Sequence, residues 1–187
     1  MPQSKILLDT NSYLRLARSI HPLLFQVFGE KNYCLYVLKA LEDEVRRSHR
    51  LTSKFVWFDD QEFQQNRGKR LQMSKAEKRP YEITVDALWN YVTEDFPGPS
   101  KVDCQILAVA SVIGIPTVTD DRDMRGLAKE FDIPTLSTLE LLAMMLEADH
   151  VTKAKVIEIC SYWAYDGDKP ANFAKEYRRL FKEAPPG

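Results

Sequence analysis

Apolar residues run through this chain in two rhythms. Brief aliphatic runs at residues 5–8, 34–37, 115–118 and 133–136 have the pattern of strands buried on both faces of a parallel sheet. Longer stretches at 10–17, 39–50, 102–112, 124–131 and 139–147 predict helices with one packed face. In 39–50 that face is Leu38, Leu41 and Val45. Gly114 closes the helix at 102–112, because glycine readily adopts the left-handed backbone of a helix end. A further apolar segment, 21–28, lies around Pro22. Strand and helix alternate, so the expected fold is α/β, a parallel sheet with helices on both faces.

Residues 51–99 break the alternation. They are polar and basic, carry Trp57, Phe58, Phe63 and Tyr81, and end in the turn signal Phe96-Pro97-Gly98-Pro99. Within them 81–92 has an amphipathic helical pattern with Ile83, Ala87, Leu88 and Tyr91 on one side. The whole stretch reads as a helical insertion. Residues 151–183 are helical throughout in pattern. The expected organisation is one unit at 1–150 containing the 51–99 insertion, with a helical extension at 151–187 packed on it.

Composition narrows the class. With 187 residues, 44% of them hydrophobic and 28% charged, the chain can bury a substantial core. No apolar run reaches the length of a membrane span. Met1-Pro2-Gln3-Ser4-Lys5 leads straight into the first strand pattern with no leader-like segment, so a cytoplasmic location is expected, with no membrane partner. Cys34, Cys104 and Cys160 are scattered among apolar neighbours and read as small buried hydrophobes. His21, His49 and His150 share no ligand spacing. A formal net charge of −1 hides an uneven distribution. Between Arg46 and Arg79 stand ten bases but only Asp59, Asp60, Glu62 and Glu77 as acids, a balance suited to a polyanion.

The chemistry sits where strands end. Ile6-Leu7-Leu8-Asp9-Thr10-Asn11 and Pro116-Thr117-Val118-Thr119-Asp120-Asp121-Arg122-Asp123 each finish an apolar run in acids. Ligands of open α/β sheets collect beyond the carboxyl ends of the strands, so these carboxylates are expected to converge. Asp103 opens the helix leading into the second of these strands. Gathered carboxylates repel unless a cation binds between them, and hard ions such as Mg²⁺ or Mn²⁺ prefer oxygen ligands. Each acid also has a plain local role: Asp9 and Asn11 are good helix caps, Ser100-x-x-Asp103 has the shape of a capping box, and acids after Thr119 suit a helix dipole.

Four segments together resemble the PIN-domain nucleases, which include the VapC-type toxin ribonucleases of bacterial toxin–antitoxin pairs. They are Leu7-Leu8-Asp9-Thr10-Asn11, Ala40-Leu41-Glu42-Asp43-Glu44-Val45, Asp103-Cys104-Gln105-Ile106-Leu107-Ala108-Val109-Ala110 with Gly114-Ile115-Pro116, and Val118-Thr119-Asp120-Asp121-Arg122-Asp123-Met124. The resemblance covers 5–50 and 100–147. It implies a three-layer α/β/α PIN-like domain and an acidic site of Asp9, Glu44, Asp103 and Asp121 holding Mg²⁺ or Mn²⁺, with Asp123 as a further metal ligand. Asn11 and Thr119 match polar residues that orient such ligands. Helical periodicity leaves Glu42 and Glu44 tied, flanking the apolar stripe on opposite sides; the family pattern of glutamate followed by an aliphatic residue selects Glu44. The segment before Asp103 is longer than in compact toxins, and the C-terminal helices are additional.

The resemblance implies a metal-dependent endoribonuclease, toxin-type in character, that hydrolyses phosphodiester bonds of single-stranded or structured RNA. Arg46, Arg47, Arg67, Lys69 and Arg70 are its expected RNA contacts. An antitoxin protein and a homodimer are further expected partners. Two rival readings stand beside it. One is a PIN-fold RNA-binding or interaction module with little or no catalysis. The other is a haloacid-dehalogenase-like phosphatase, which wants a second acid two places after Asp9, where Asn11 stands.

Overall fold

The computed structural model describes residues 3–186; Met1, Pro2 and Gly187, at the outer ends of the two expected units, lie outside them. Five strands form one sheet in the order β2-β3-β1-β4-β5. β1 (Ser4–Leu8) lies at the centre, parallel to β3 (Tyr33–Tyr36) on one side and β4 (Thr117–Val118) on the other. β5 (Thr135–Leu136) continues the parallel set beyond β4. The chain thus winds outward from β1 in one direction and then crosses to the other side. That reversal opens a crevice at the carboxyl ends of β1 and β4.

The sheet is mostly parallel, in line with the expected α/β fold, with one antiparallel strand at its edge. The 21–28 segment contributes β2 (Val27–Phe28), a two-residue strand antiparallel to β3. A positive-φ turn at Gly29 and Asn32 reverses the chain before β3, so the two strands meet as a short hairpin. Val27-Phe28 is too brief to show a period of its own.

Ten helices among the described residues flank the sheet. Alternate strand residues feed two cores. Ile6, Leu8 and Leu35 face one with α1 (Thr10–Leu16), α2 (Lys39–Arg47), α8 (Thr138–Glu147), α9 (Lys153–Tyr165) and α10 (Phe173–Phe181). Leu7, Cys34 and Tyr36 face the other with α5 (Lys75–Glu94), α6 (Lys101–Ile113) and α7 (Arg122–Glu130). The alternation follows from the two-residue period of a pleated strand.

The helix expected at 39–50 is broken. α2 stops at Arg47, and Ser48 caps α3 (His49–Lys54) by accepting from the Leu51 amide at 3.3 Å. A 3₁₀ turn at Val56–Asp59 and α4 (Gln61–Gly68) follow. α5 begins six residues before the expected helix at 81, with a capping box from Ser74 and Glu77. Its packed side is Val85, Leu88 and Val92, whereas Ile83 is 61% exposed. The packed side is rotated from the expected stripe because the neighbouring core does not cover Ile83. The insertion is no appendage: Trp57, Phe58 and Phe63 enter the first core and α5 completes the second. No helix among the described residues is long and apolar enough to cross a membrane.

Candidate active site

The expected acids stand around the carboxyl edge of the sheet, each fixed by the start of a helix. Asp9 leaves β1 and caps α1, accepting from the Ser12 amide at 2.6 Å. It is 3% exposed. Burial pushes its carboxyl up to about 6, against hydrogen bonding from Thr119 and Ser12 that favours the charged form. Asp121 follows β4 and caps α7, accepting from the Met124 amide at 2.8 Å, while its own amide donates to the Thr119 hydroxyl at 3.1 Å. Thr119 therefore sits between Asp9 and Asp121, hydrogen-bonded to both. Asp103 closes a capping box with Ser100, accepting from the Ser100 amide at 2.7 Å. Its carboxyl is raised by burial first, then by the like charges of Asp121 and Glu44.

The tie between Glu42 and Glu44 is broken by their partners. Glu44 accepts from the Thr10 hydroxyl at the start of α1 and acts electrostatically on Asp103. Glu42 points the other way, into arginines: Arg70 at 3.4 Å, Arg67 at 3.8 Å and Arg46 at 3.9 Å. Glu44 is the glutamate of the acidic edge. Thr10 is a site residue that sequence reading missed, although it lies inside the Asp9-Thr10-Asn11 motif; a hydroxyl at the first position of a helix reads only as a helix start.

Two other expected ligand-side residues turn elsewhere. Asp123 lies against the Pro97-Gly98-Pro99 turn, where a Cβ on Gly98 would come within 2.8 Å of its Oδ2. It is not among the charges that raise Asp103. Asn11 is exposed and lines a small cleft of about 80 Å³ with Arg50, Lys54 and Asp168. Asp120, next to Asp121, is consumed by structure. It pairs with Arg15 at 2.7 Å and accepts from the Thr138 amide at 3.0 Å and the Thr138 hydroxyl.

The arrangement is an acidic edge rather than a finished chelate. Asp9, Asp103 and Asp121 each serve a helix cap through one oxygen, and no three His, Cys, Asp or Glu side chains among the described residues converge closely enough to hold a metal ion. The donor chemistry nevertheless suits a hard divalent cation: two hydroxyls and four carboxylates, one of them the buried Asp9, whose proton competes with a bound ion.

The expected RNA contacts are corrected in part. Arg67 is 1% exposed and cannot meet a ligand in solvent. It donates to the Tyr13 hydroxyl at 3.0 Å and the Phe58 carbonyl at 2.7 Å, and stacks 3.6 Å above the Phe58 ring. Tyr13 is likewise buried in this aromatic group and does not face the acids. Arg70 is engaged with Glu42, and Arg46 with Asp59 at 3.1 Å. Arg47 and Lys69 are exposed. The three cysteines are buried and unpaired, as expected; burial lifts the Cys104 thiol to about 11, which removes it as a nucleophile.

No family model matches this sequence, and no curated protein matches it. Among solved structures the chain is similar to the crystal structure of FitAcB from Neisseria gonorrhoeae, with 16% identity, a TM-score of 0.47, and coverage of 72% of this chain and 98% of that one. A likeness of that degree carries no argument about chemistry, which rests on the chain's own residues.

Proposed function

We propose that this chain is a metal-dependent ribonuclease whose Mg²⁺ or Mn²⁺ is held by Asp9, Glu44, Asp103 and Asp121. The observation that supports it most is the mutual electrostatic pressure at one sheet edge. Asp103 is raised by both Asp121 and Glu44, and Asp9 is buried beside Thr119 with its carboxyl near 6. A helix cap needs no such company; Ser or Asn would cap without repulsion. Thr10 holds the Glu44 carboxylate toward the edge, and Thr119 keeps Asp9 and Asp121 in register. A bound divalent ion would supply a water of lowered pKa for attack on phosphorus and charge stabilisation for the leaving 3′ oxygen. The products would carry 5′-phosphate and 3′-hydroxyl ends. The same acidic edge would suit an antitoxin segment that carries a cation into it, since a buried carboxylate needs a paired charge.

Asp9→Asn keeps the cap and the volume but loses the charge. The expected outcome is loss of Mn²⁺-dependent cleavage of a labelled RNA with the circular dichroism spectrum unchanged. Undiminished cleavage by this variant, or by the parent protein in EDTA, sinks the proposal. A binding module without catalysis is the second reading, favoured by the caps that the three aspartates serve and the absence of a preformed chelate among the described residues. Titration calorimetry separates the two: no heat of Mn²⁺ binding at millimolar ion selects the module. The phosphatase reading loses ground because Asn11, at the position it needs acidic, is exposed and faces another cleft.

A further inference from the structure

Within the 46–79 stretch Arg67 is buried and Arg46, Lys54 and Arg70 are committed to acids, which leaves Arg47, Arg50, Lys69, Lys75, Lys78 and Arg79 exposed to a polyanion. A second group of cations lies beside Asp120 and along α10. A cleft of about 620 Å³ begins at Asp120 and runs between the first turns of α7, α8 and α10. Its acids are already engaged: Asp120 by Arg15, and Glu140 and Glu176 by Arg179 at 2.9 and 2.6 Å. Arg122 and Arg125 line it; Arg125 donates to the Thr119 carbonyl at 3.5 Å and helps hold the Glu140 carboxyl low, while Arg122 forms no ion pair among the described residues. At Asn172 the cleft meets a second, shallower depression of about 480 Å³. Lys169, Lys175 and Arg178 line that depression, with no acidic residue in its wall. None of the three makes an ion pair among the described residues, and Lys175 and Arg178, three positions apart, share one face of α10.

We propose that the C-terminal helix α10 and the start of α7 form the phosphate track of this protein, gripping the backbone of an RNA strand as it leaves the acidic edge. The inference rests on the ribonuclease reading for its ligand, not for its geometry. A carboxylate site repels its own substrate, so cations must lie along the strand's path on either side of it. Arg122 is one residue from Asp121, and the two depressions continue from there without an intervening free acid. A strand crossing Asp121 would therefore pass from repulsion to attraction within one turn of α7. Lysine and arginine at these positions contact phosphate without reading bases, so the track would set affinity and not sequence preference.

The test uses the full chain, a fluorescein-labelled single-stranded RNA of mixed sequence, and anisotropy in EDTA at several salt concentrations, with the RNA checked for integrity afterwards. Combining Lys169→Ala, Lys175→Ala and Arg178→Ala should weaken binding by about tenfold and flatten the slope of log K against log salt by about 2, at roughly 0.7 for each phosphate no longer neutralised on a single strand. The Gln versions of the same three changes guard against altered packing and should behave alike. Removing equal charge at Lys31, Lys129 and Lys155 should leave the slope as it was. An unchanged slope in the α10 variants, equal loss in the control, or no RNA binding by the parent protein overturns the track. Preference for an acidic polypeptide over RNA would also overturn it, in favour of a protein partner. Cleavage in Mn²⁺ by the parent protein is scored separately. A cleaving enzyme with unchanged α10 binding keeps the ribonuclease and loses the track, while slope loss without cleavage does the reverse.

Discussion

Asp9 shows how much one residue carries. Its side chain ends β1, starts α1 and faces Thr119 from β4, all while buried. A carboxyl lifted from 3.8 to about 6 binds its proton more tightly in the folded chain than in the unfolded one. Stability from this group is therefore full below about pH 4 and is lost as pH rises through about 6. Asp9→Asn removes the titration and retains a good cap. In metal-free buffer the variant should lack the stability loss between about pH 4 and 6 and, at pH 8, exceed the parent by on the order of 2 kcal/mol. Urea denaturation at about pH 4 and pH 8 measures both. A variant less stable than the parent at the higher pH would mean that the Asp9 carboxylate is not strained by burial. Glu42 and Glu44 make the complementary point. They are two residues apart on one helix, yet one meets arginines and the other meets acids, and only their neighbours in space separate them.

At the scale of elements, α4 is tied to α1 and α2 by Arg67. Its guanidinium joins Phe58 before α4, Tyr13 on α1 and Glu42 on α2. One nitrogen, Nε, lacks a hydrogen-bond partner although buried, so the charge depends on Glu42 and on the ring faces around it. Arg67→Ala leaves Glu42 without its buried partner and a void under Phe58. The expected loss is about 3–5 kcal/mol of stability, read by urea denaturation, with the salt slope of RNA binding unchanged in whatever fraction stays folded. A variant of parental stability with a flatter slope would return Arg67 to the RNA. The sequence pattern could not distinguish these roles, because arginine in a locally basic stretch looks the same whether it faces solvent or spans a core. By contrast, helix ends were legible: Asp9, Ser100 with Asp103, and Gly114 all act where local spacing put them, since caps are formed within a few residues.

On the scale of the whole molecule, the C-terminal helices are part of the first core. Trp163 is 1% exposed, packs with Phe173, and donates to the Arg15 carbonyl at 3.3 Å. Arg15 in turn bridges Asp120 and Asp168, at 2.7 and 3.2 Å, linking the end of β4 to the chain after α9. Trp163→Ala should cost about 3–5 kcal/mol, seen as a lower urea midpoint. A change within about 1 kcal/mol would mark 151–186 as a detachable addition. Sequence alone determined what depends on near neighbours: the aliphatic strands, most helices, their caps, the buried cysteines, and acids at the ends of β1 and β4. Their placement along one edge of the sheet also followed, because parallel strands must expose their carboxyl ends together. Only the tertiary structure decided which glutamate joins the acids, that Thr10 holds it, and that Asp120 and Arg67 are structural. It also rotated the packed face of α5, added β2, and set Lys169, Lys175 and Arg178 around one depression. Each of these depends on which distant segment lies opposite a side chain, and charge or hydropathy along the chain does not encode that.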